Sequence, residues 1–355
     1  MASRWTAPAA LAALAAACLA LALASPVFAD AGPHVESVNS GTAGLDADSC
    51  AGCHRAHVGQ GMDLIAAADD SALCLVCHGP SGAGATTDVI DGVLAASVPA
   101  RGLKGGGFAS AAMDTAWSAS TGAPAPLAPA TSAHGYDALA TGTMWGNGAI
   151  GSGPGKTGVA LGCIDCHNPH GNGAYRILRP VPTGSDASSG ITVPDLSSTY
   201  TVSSTANRYF GEIYGSGVYD WEWMYALDAW CSQCHTRYDA LEPGTGHIDS
   251  GDPIFAYRHM TRWPTGWPDC TVCHGPGGTG PAQDPLDVGY RIAHEPVCQN
   301  CHVAHGSSAS MGTYSGAVAW PDGSTVPSGN ERSSLLRLNN RGVCVGCHGS
   351  PGLQP

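Results

Sequence analysis

The stretch Cys50-Ala-Gly-Cys53-His54-Arg-Ala-His57, followed by Leu73-Cys74-Leu-Val-Cys77-His78, decides how this chain is read. Each half contains C-x-x-C-H, two thiols at fixed spacing with an imidazole directly after them. The pattern returns at Cys163-Cys166-His167, Cys231-Cys234-His235, Cys270-Cys273-His274, Cys298-Cys301-His302 and Cys344-Cys347-His348. Of 15 cysteines only Cys18 stands outside these seven pairs. Two thiols that add across the two vinyl groups of one haem need this spacing, and the next residue is then carried beneath the ring to ligate iron. Zinc sites and disulfides also use paired cysteines, but they give no reason for His after every second one. The expected cofactor is therefore haem c, seven copies, covalently bound. His54, His78, His167, His235, His274, His302 and His348 are the expected proximal iron ligands.

The chain has 15 His, which leaves eight outside the motifs: His34, His57, His134, His170, His247, His259, His294 and His305. Seven bis-histidine irons need seven of them, so supply exceeds demand by one. His57 (CHRAH), His170 (CHNPH) and His305 (CHVAH) sit three residues after a motif His. Each is too close to its own proximal His to reach the far face of the same ring, so each is expected to ligate a different haem. His134, His247, His259 and His294 lie in loops between motifs and read as long-range distal ligands. Met260, beside His259, is an alternative ligand that would raise the reduction potential. His is the preferred reading.

Working outward, Arg4, the Ala- and Leu-rich run 9–24 and the small-residue site Val27-Phe28-Ala29 read as a signal peptide over 1–29, with Asp30 as the new N-terminus. No second apolar run approaches spanning length, so no membrane span is expected after cleavage. Residues 30–355 are read as one heptahaem domain. Paired units lie near 50–78, 163–235 and 298–348, with a lone motif at 270–274.

Gly and Pro make up 74 of 355 residues and charged residues only 12%. That composition disfavours long helices and sheets, yet it lacks the high charge of a disordered chain. The expected fold is mostly irregular, with short α-helices around a core of stacked haems. Apolar macrocycle faces contribute about 25 cal/mol per Å² buried, and the thioether and iron bonds staple the chain. Helices are predicted over 62–77 and over 219–241, where Trp223, Leu227, Trp230, Cys231 and Cys234 recur at helical spacing. Residues 79–161 and 181–207 are predicted as long loops with short strands. The stretch 151–157 looks like a phosphate loop, but the first Gly of that motif falls at Ile150. It is predicted as a flexible loop. The net charge of −13 argues against nucleic acid as a partner.

The unit at 50–78 resembles the doubled-CxxCH domain of multihaem cytochromes. Looser copies carry NPHGNGAYRILR after His167 and SSLLRL before Cys344. The order of elements over nearly the whole mature chain is similar to that of the filament-forming outer-surface cytochromes, the hexahaem "nanowire" type. The shared features are CHRAH, a loop His at His134, CHNPHG followed by Tyr175-Arg176, Trp230-Cys231, Arg258-His259, a loop His at His294, CHVAH and a C-terminal CxxCH. The hexahaem type lacks the motif at 270–274. Eight spare His can ligate all seven irons and leave none open, so electron transfer without substrate turnover is expected, in a protein that is secreted or held at the cell surface. The resemblance implies other redox proteins or extracellular electron acceptors as partners. It also implies a homo-polymer in which a distal His comes from the next protomer, with His57 as the matching residue and His34 as runner-up. The residues leave two alternatives: a periplasmic electron shuttle, and a multihaem reductase with one open haem. The CxxCK motif typical of nitrite reductases of that kind does not occur.

Overall fold

The computed structural model describes residues 34, 50–82, 85, 87–94, 101–103, 105–112, 127–194, 221–239, 249–251, 298–310, 334–337 and 339. The segment 1–29, the motifs at 270–274 and 344–348, His247, His259, Met260, His294 and residues 195–207 lie outside them.

Each described motif is built on a turn of helix. Single turns form at α1 (Cys50–Cys53), α3 (Cys163–Cys166) and α5 (Cys298–Cys301). The longer helices α2 (Asp70–His78) and α4 (Trp221–Cys231) run into a motif at their C-terminal ends. Residues three apart share a helix face, so C-x-x-C in one turn presents both thiols to one side. Except at His78, which ends α2, the His then leaves the helix. The amides of His167, His235 and His302 donate to the carbonyl of the first Cys of their own motif, at 3.0, 3.1 and 2.9 Å.

Two predicted helices are shorter than expected. The helix predicted over 62–77 begins only at Asp70, because Asp69 caps it by accepting the Ala72 amide at 2.7 Å. Ahead of it, Leu64 holds φ 52°, a left-handed conformation that no right-handed helix accepts. The helix predicted over 219–241 stops at Cys231. A 3-10 turn at Thr236–Tyr238 follows, because the chain must swing His235 towards the Trp145 carbonyl.

The Gly-rich stretch predicted as long loops with short strands contains most of the sheet. Strands β1 (Thr87–Asp88), β2 (Val93–Leu94) and β3 (Arg101–Gly102) form one small antiparallel sheet, and β4 (Ser110–Ala112) pairs with β5 (Leu127–Pro129). β6 (Ser132–Ala133) and β9 (Gly306–Ser307) pair antiparallel, Ser132 opposite Ser307. The longest pair is the hairpin of β7 (Asp137–Trp145) with β8 (Gly155–Gly162), Trp145 opposite Gly155. The stretch 151–157 is therefore no flexible loop: it closes this hairpin and enters β8. Arg237, 4% exposed, pins the turn by donating to the carbonyls of Asn147, Gly148 and Gly153 and to Ser152 Oγ. Gly146 is required there. Its φ is +70°, and a Cβ would lie 2.3 Å from the Tyr238 ring.

Side chains alone build a small apolar cluster, Tyr175, Leu178, Val193 and Leu227, with Ala226, Trp230 and Cys231 against it. Among the described residues, most other buried apolar side chains are alanines. Among the described residues no helix is long and apolar enough to cross a membrane.

Candidate functional site

The three motifs followed by a second His share one local build. After each, a strap of four residues folds back over the motif His: Asp63-Leu64-Ile65-Ala66, Arg176-Ile177-Leu178-Arg179 and Ser334-Leu335-Leu336-Arg337. The first strap carbonyl accepts from the motif ring, His54 Nδ1 to Asp63 O at 2.7 Å, His167 Nδ1 to Arg176 O at 2.8 Å and His302 Nδ1 to Ser334 O at 2.9 Å. The second strap residue is left-handed, with φ 52° at Leu64, 52° at Ile177 and 62° at Leu335. Its carbonyl accepts the amide just after the motif His, from Arg55, Asn168 and Val303 at 2.7, 2.7 and 2.9 Å. The fourth donates to the carbonyl of the second Cys, Ala66 to Cys53, Arg179 to Cys166 and Arg337 to Cys301, at 2.8, 2.8 and 2.9 Å. A left-handed non-glycine residue costs about 1–2 kcal/mol. Its recurrence at the same place in all three straps ties that strain to the ring it orients.

The other two described motif His are also held at Nδ1. His78 Nδ1 bonds Thr87 Oγ1 at 2.8 Å, and His235 Nδ1 bonds Trp145 O at 2.6 Å. A carbonyl acceptor requires the proton on Nδ1, which leaves the Nε2 lone pair free for a metal.

Four of these rings stand across from a His outside the motifs. His54 faces His170 at 6.1 Å between ring centres, and His78 faces His34 at 6.0 Å. His235 faces His134 at 6.3 Å, and His167 faces His305 at 6.4 Å. Two imidazoles placed in line on opposite sides of one metal ion, each with a metal–nitrogen bond of about 2.0–2.1 Å and a ring centre about 1.1 Å behind the nitrogen, would have centres about 6.3 Å apart. All four pairs fit that span, and each joins one motif His to one non-motif His. The residues present therefore fit an iron with two imidazole ligands.

Distant chain segments hold the second ring of each pair. The β6–β9 ladder sets His134 beside His305, whose carbonyl accepts the His134 amide at 2.9 Å. His134 Nδ1 bonds Ala304 O at 2.5 Å, and His34 Nδ1 bonds Pro169 O at 3.1 Å. His305 packs on Phe108 at 4.9 Å and on Gly105, where a Cβ would lie 3.0 Å from its Nδ1. Burial pushes His134 and His167 below the usual imidazole range, His235 down to about 4 and His305 to about 3. These rings stay neutral, the form that binds a metal.

Not every candidate is paired. Among the described residues no His ring stands across from His302, and His57 is exposed and faces no other ring. The described cysteine side chains form no disulfide. Among the described residues no group of three or more His, Cys, Asp or Glu converges as a zinc site requires. Sequence reasoning missed Arg237 and the buried Asp228. It saw the straps only as Leu-rich runs, although x-Leu/Ile-Leu/Ile nine residues after His54 and His167 is a usable signal.

A family model described as the doubled CXXCH motif matches residues 43–83, which span α1 and α2 and the first two motifs. No curated protein and no solved structure matches the chain. The doubled motif indicates a multihaem c-type cytochrome, with haem c bound covalently through C-x-x-C-H and electron transfer as its chemistry.

Proposed function

We propose that this chain is an exported heptahaem electron conduit that polymerises head to tail and turns over no substrate. Haem, when bound, supplies reversible one-electron chemistry at iron. The chain's own residues attach it, ligate it and keep it dry. The reading rests above all on the four ring pairs. Each would close an iron on both faces, which leaves no position for a substrate. The strap build, repeated at 163–179 and 298–337 beyond the stretch the family model matches, supports further haem sites of the same kind. A core of macrocycles also accounts for the small side-chain cluster and the irregular backbone.

The ring pairs follow a relay, which supports the polymer. His305, in the third strapped motif, faces His167 in the second. His170, in the second, faces His54 in the first. His57, in the first, is left over, and among the described residues His302 lacks a ring across from it. Applied to a second copy, the same rule sets His57 of one chain on the iron held by His302 of the next. A contact between two different surfaces repeats without closing and gives a filament. Val58 and Met62 beside His57 are 77% and 98% exposed, apolar surface suited to such a contact. His34, the runner-up for this role, faces His78 in its own chain. His247, His259 and His294 remain for the motifs at 270–274 and 344–348.

Mass spectrometry of the mature secreted chain should show cleavage after Ala29 and seven added haems. Carbon monoxide should bind none of the ferrous haems; one binding haem would favour the reductase. Negative-stain microscopy should show filaments for the parent and separate subunits for His57→Ala. Filaments of that variant with every iron six-coordinate would overturn the polymer.

A further inference from the structure

Asp228 is 1% exposed, and haem attachment makes no use of its charge. It lies on α4 three residues before Cys231, so both side chains leave the same helix face. Its Oδ1 accepts the Cys298 amide at 2.7 Å, where α5 begins. Its Oδ2 has no hydrogen-bond partner. Helices α4 and α5 pack against each other here, and the Cys231 and Cys298 thiols are within hydrogen-bond reach. The carboxyl therefore sits at the joint between two haem attachment points. A cap for α5 explains one oxygen and leaves the other idle. An ionised carboxylate buried with a bare oxygen is costly, and the cost disappears when that oxygen takes a proton.

We propose that Asp228 is a redox-linked proton site: it takes one proton from solvent when an iron held by His235 or His302 gains an electron, and returns it on oxidation. The proposal rests on the electron-transfer reading. The balance is one electron in, from a one-electron donor such as dithionite, and one proton in. Ferric iron becomes ferrous, an O–H bond forms at Oδ2, and no other bond changes. A ferric centre nearby favours the carboxylate through its positive charge, and losing that charge favours the acid. The groups that face Asp228 are the amide and the sulfur of Cys298, the latter a thioether once haem is attached, and, farther off, the Asp239 carboxylate. Burial, with Asp239 adding to it, pushes the carboxyl up to about 7, where a modest change in local charge decides its state.

The haem-loaded full chain is titrated spectroelectrochemically from about pH 5 to about pH 9, across the range where this carboxyl changes state. In the parent protein at least one haem potential should fall as pH rises. The slope should approach the ~59 mV that a tenfold change in proton activity gives a one-electron couple. Asp228→Asn, or Asp228→Ser if the first variant folds poorly, keeps a cap for the Cys298 amide and removes the proton site. Either should lose that slope while haem mass and the six-coordinate absorption stay unchanged. A flat parent profile, or an unchanged slope in a folded variant, overturns the proposal. No potential-dependent absorbance in the parent would overturn the electron-transfer reading beneath it.

Discussion

The unit at 50–78 and the unit at 163–238 carry the same motif chemistry in opposite surroundings. In the first, Val58, Met62, Leu64 and Val76 are exposed, as is His57, which stands across from no ring among the described residues. In the second, Tyr175, Leu178, Val193 and Leu227 pack together. Trp230 Nε1 donates to Arg179 O at 2.6 Å, and Gln233 Nε2 donates to Pro180 O at 2.9 Å. The straps over His54 and His167 are nevertheless alike to within 0.1 Å in their ring bonds, 2.7 against 2.8 Å. Orientation of the motif ring is thus a local property, independent of burial. What the surroundings decide is which second ring it meets and how much stability the unit lends the whole.

The sharpest way to break this contrast is to delete one attachment site from each unit. Cys163→Ala with Cys166→Ala should remove the macrocycle beside the central cluster and cut the yield of folded secreted protein more than about tenfold, the scale of losing a structural staple. Cys50→Ala with Cys53→Ala should lose one haem mass and keep most of the yield. Equal yields would erase the distinction.

The pH dependence of stability comes next. An unfolded Asp titrates near 3.8, and folded Asp228 near 7. Between those values the folded state holds the extra proton, so this contribution is complete below about pH 4 and is lost as pH rises through about 7. Its size is at most about 4 kcal/mol, some three steps of about 1.4. Thermal melts across that window should flatten in Asp228→Asn, whereas changes in the exposed first unit should leave the slope alone.

Smaller effects sharpen the comparison further. Leu227→Ala should cost about 2–4 kcal/mol by denaturant titration, because the cluster cannot collapse around the gap. Val58→Ala should stay within about 0.5 kcal/mol. Trp230→Phe removes one buried donor and leaves the Arg179 carbonyl short of its partner, a loss of about 1–2 kcal/mol. His57→Ala should shift the melting of the isolated subunit least, by under about 0.5 kcal/mol. Its effect should appear in filament length instead.

Much of the chemistry was legible in residue order because thioether attachment is a short-range demand. Two thiols and an imidazole must share one turn of chain, so C-x-x-C-H states its purpose wherever it falls. The excess of His over the motifs is legible for the same reason. Helix ends were misjudged where one residue overrode the average: Asp69 starts α2 late, and the swing of His235 towards Trp145 ends α4 early. The length of the β7–β8 hairpin is not legible in the sequence, because Gly and Ala blur its alternation. Its turn was read as flexible because Arg237, which holds it, lies far along the chain.

Residue order alone therefore determined the cofactor chemistry and named the histidines that could ligate its iron. Only the tertiary structure brought particular rings together, His34 with His78, His170 with His54, His134 with His235 and His305 with His167. It alone placed Asp228 between two attachment helices. The physical reason is range. A covalent motif acts over a few bonds, while an iron's second face and a buried carboxyl's neighbours are supplied by whichever distant segments the folded backbone brings within a few ångströms.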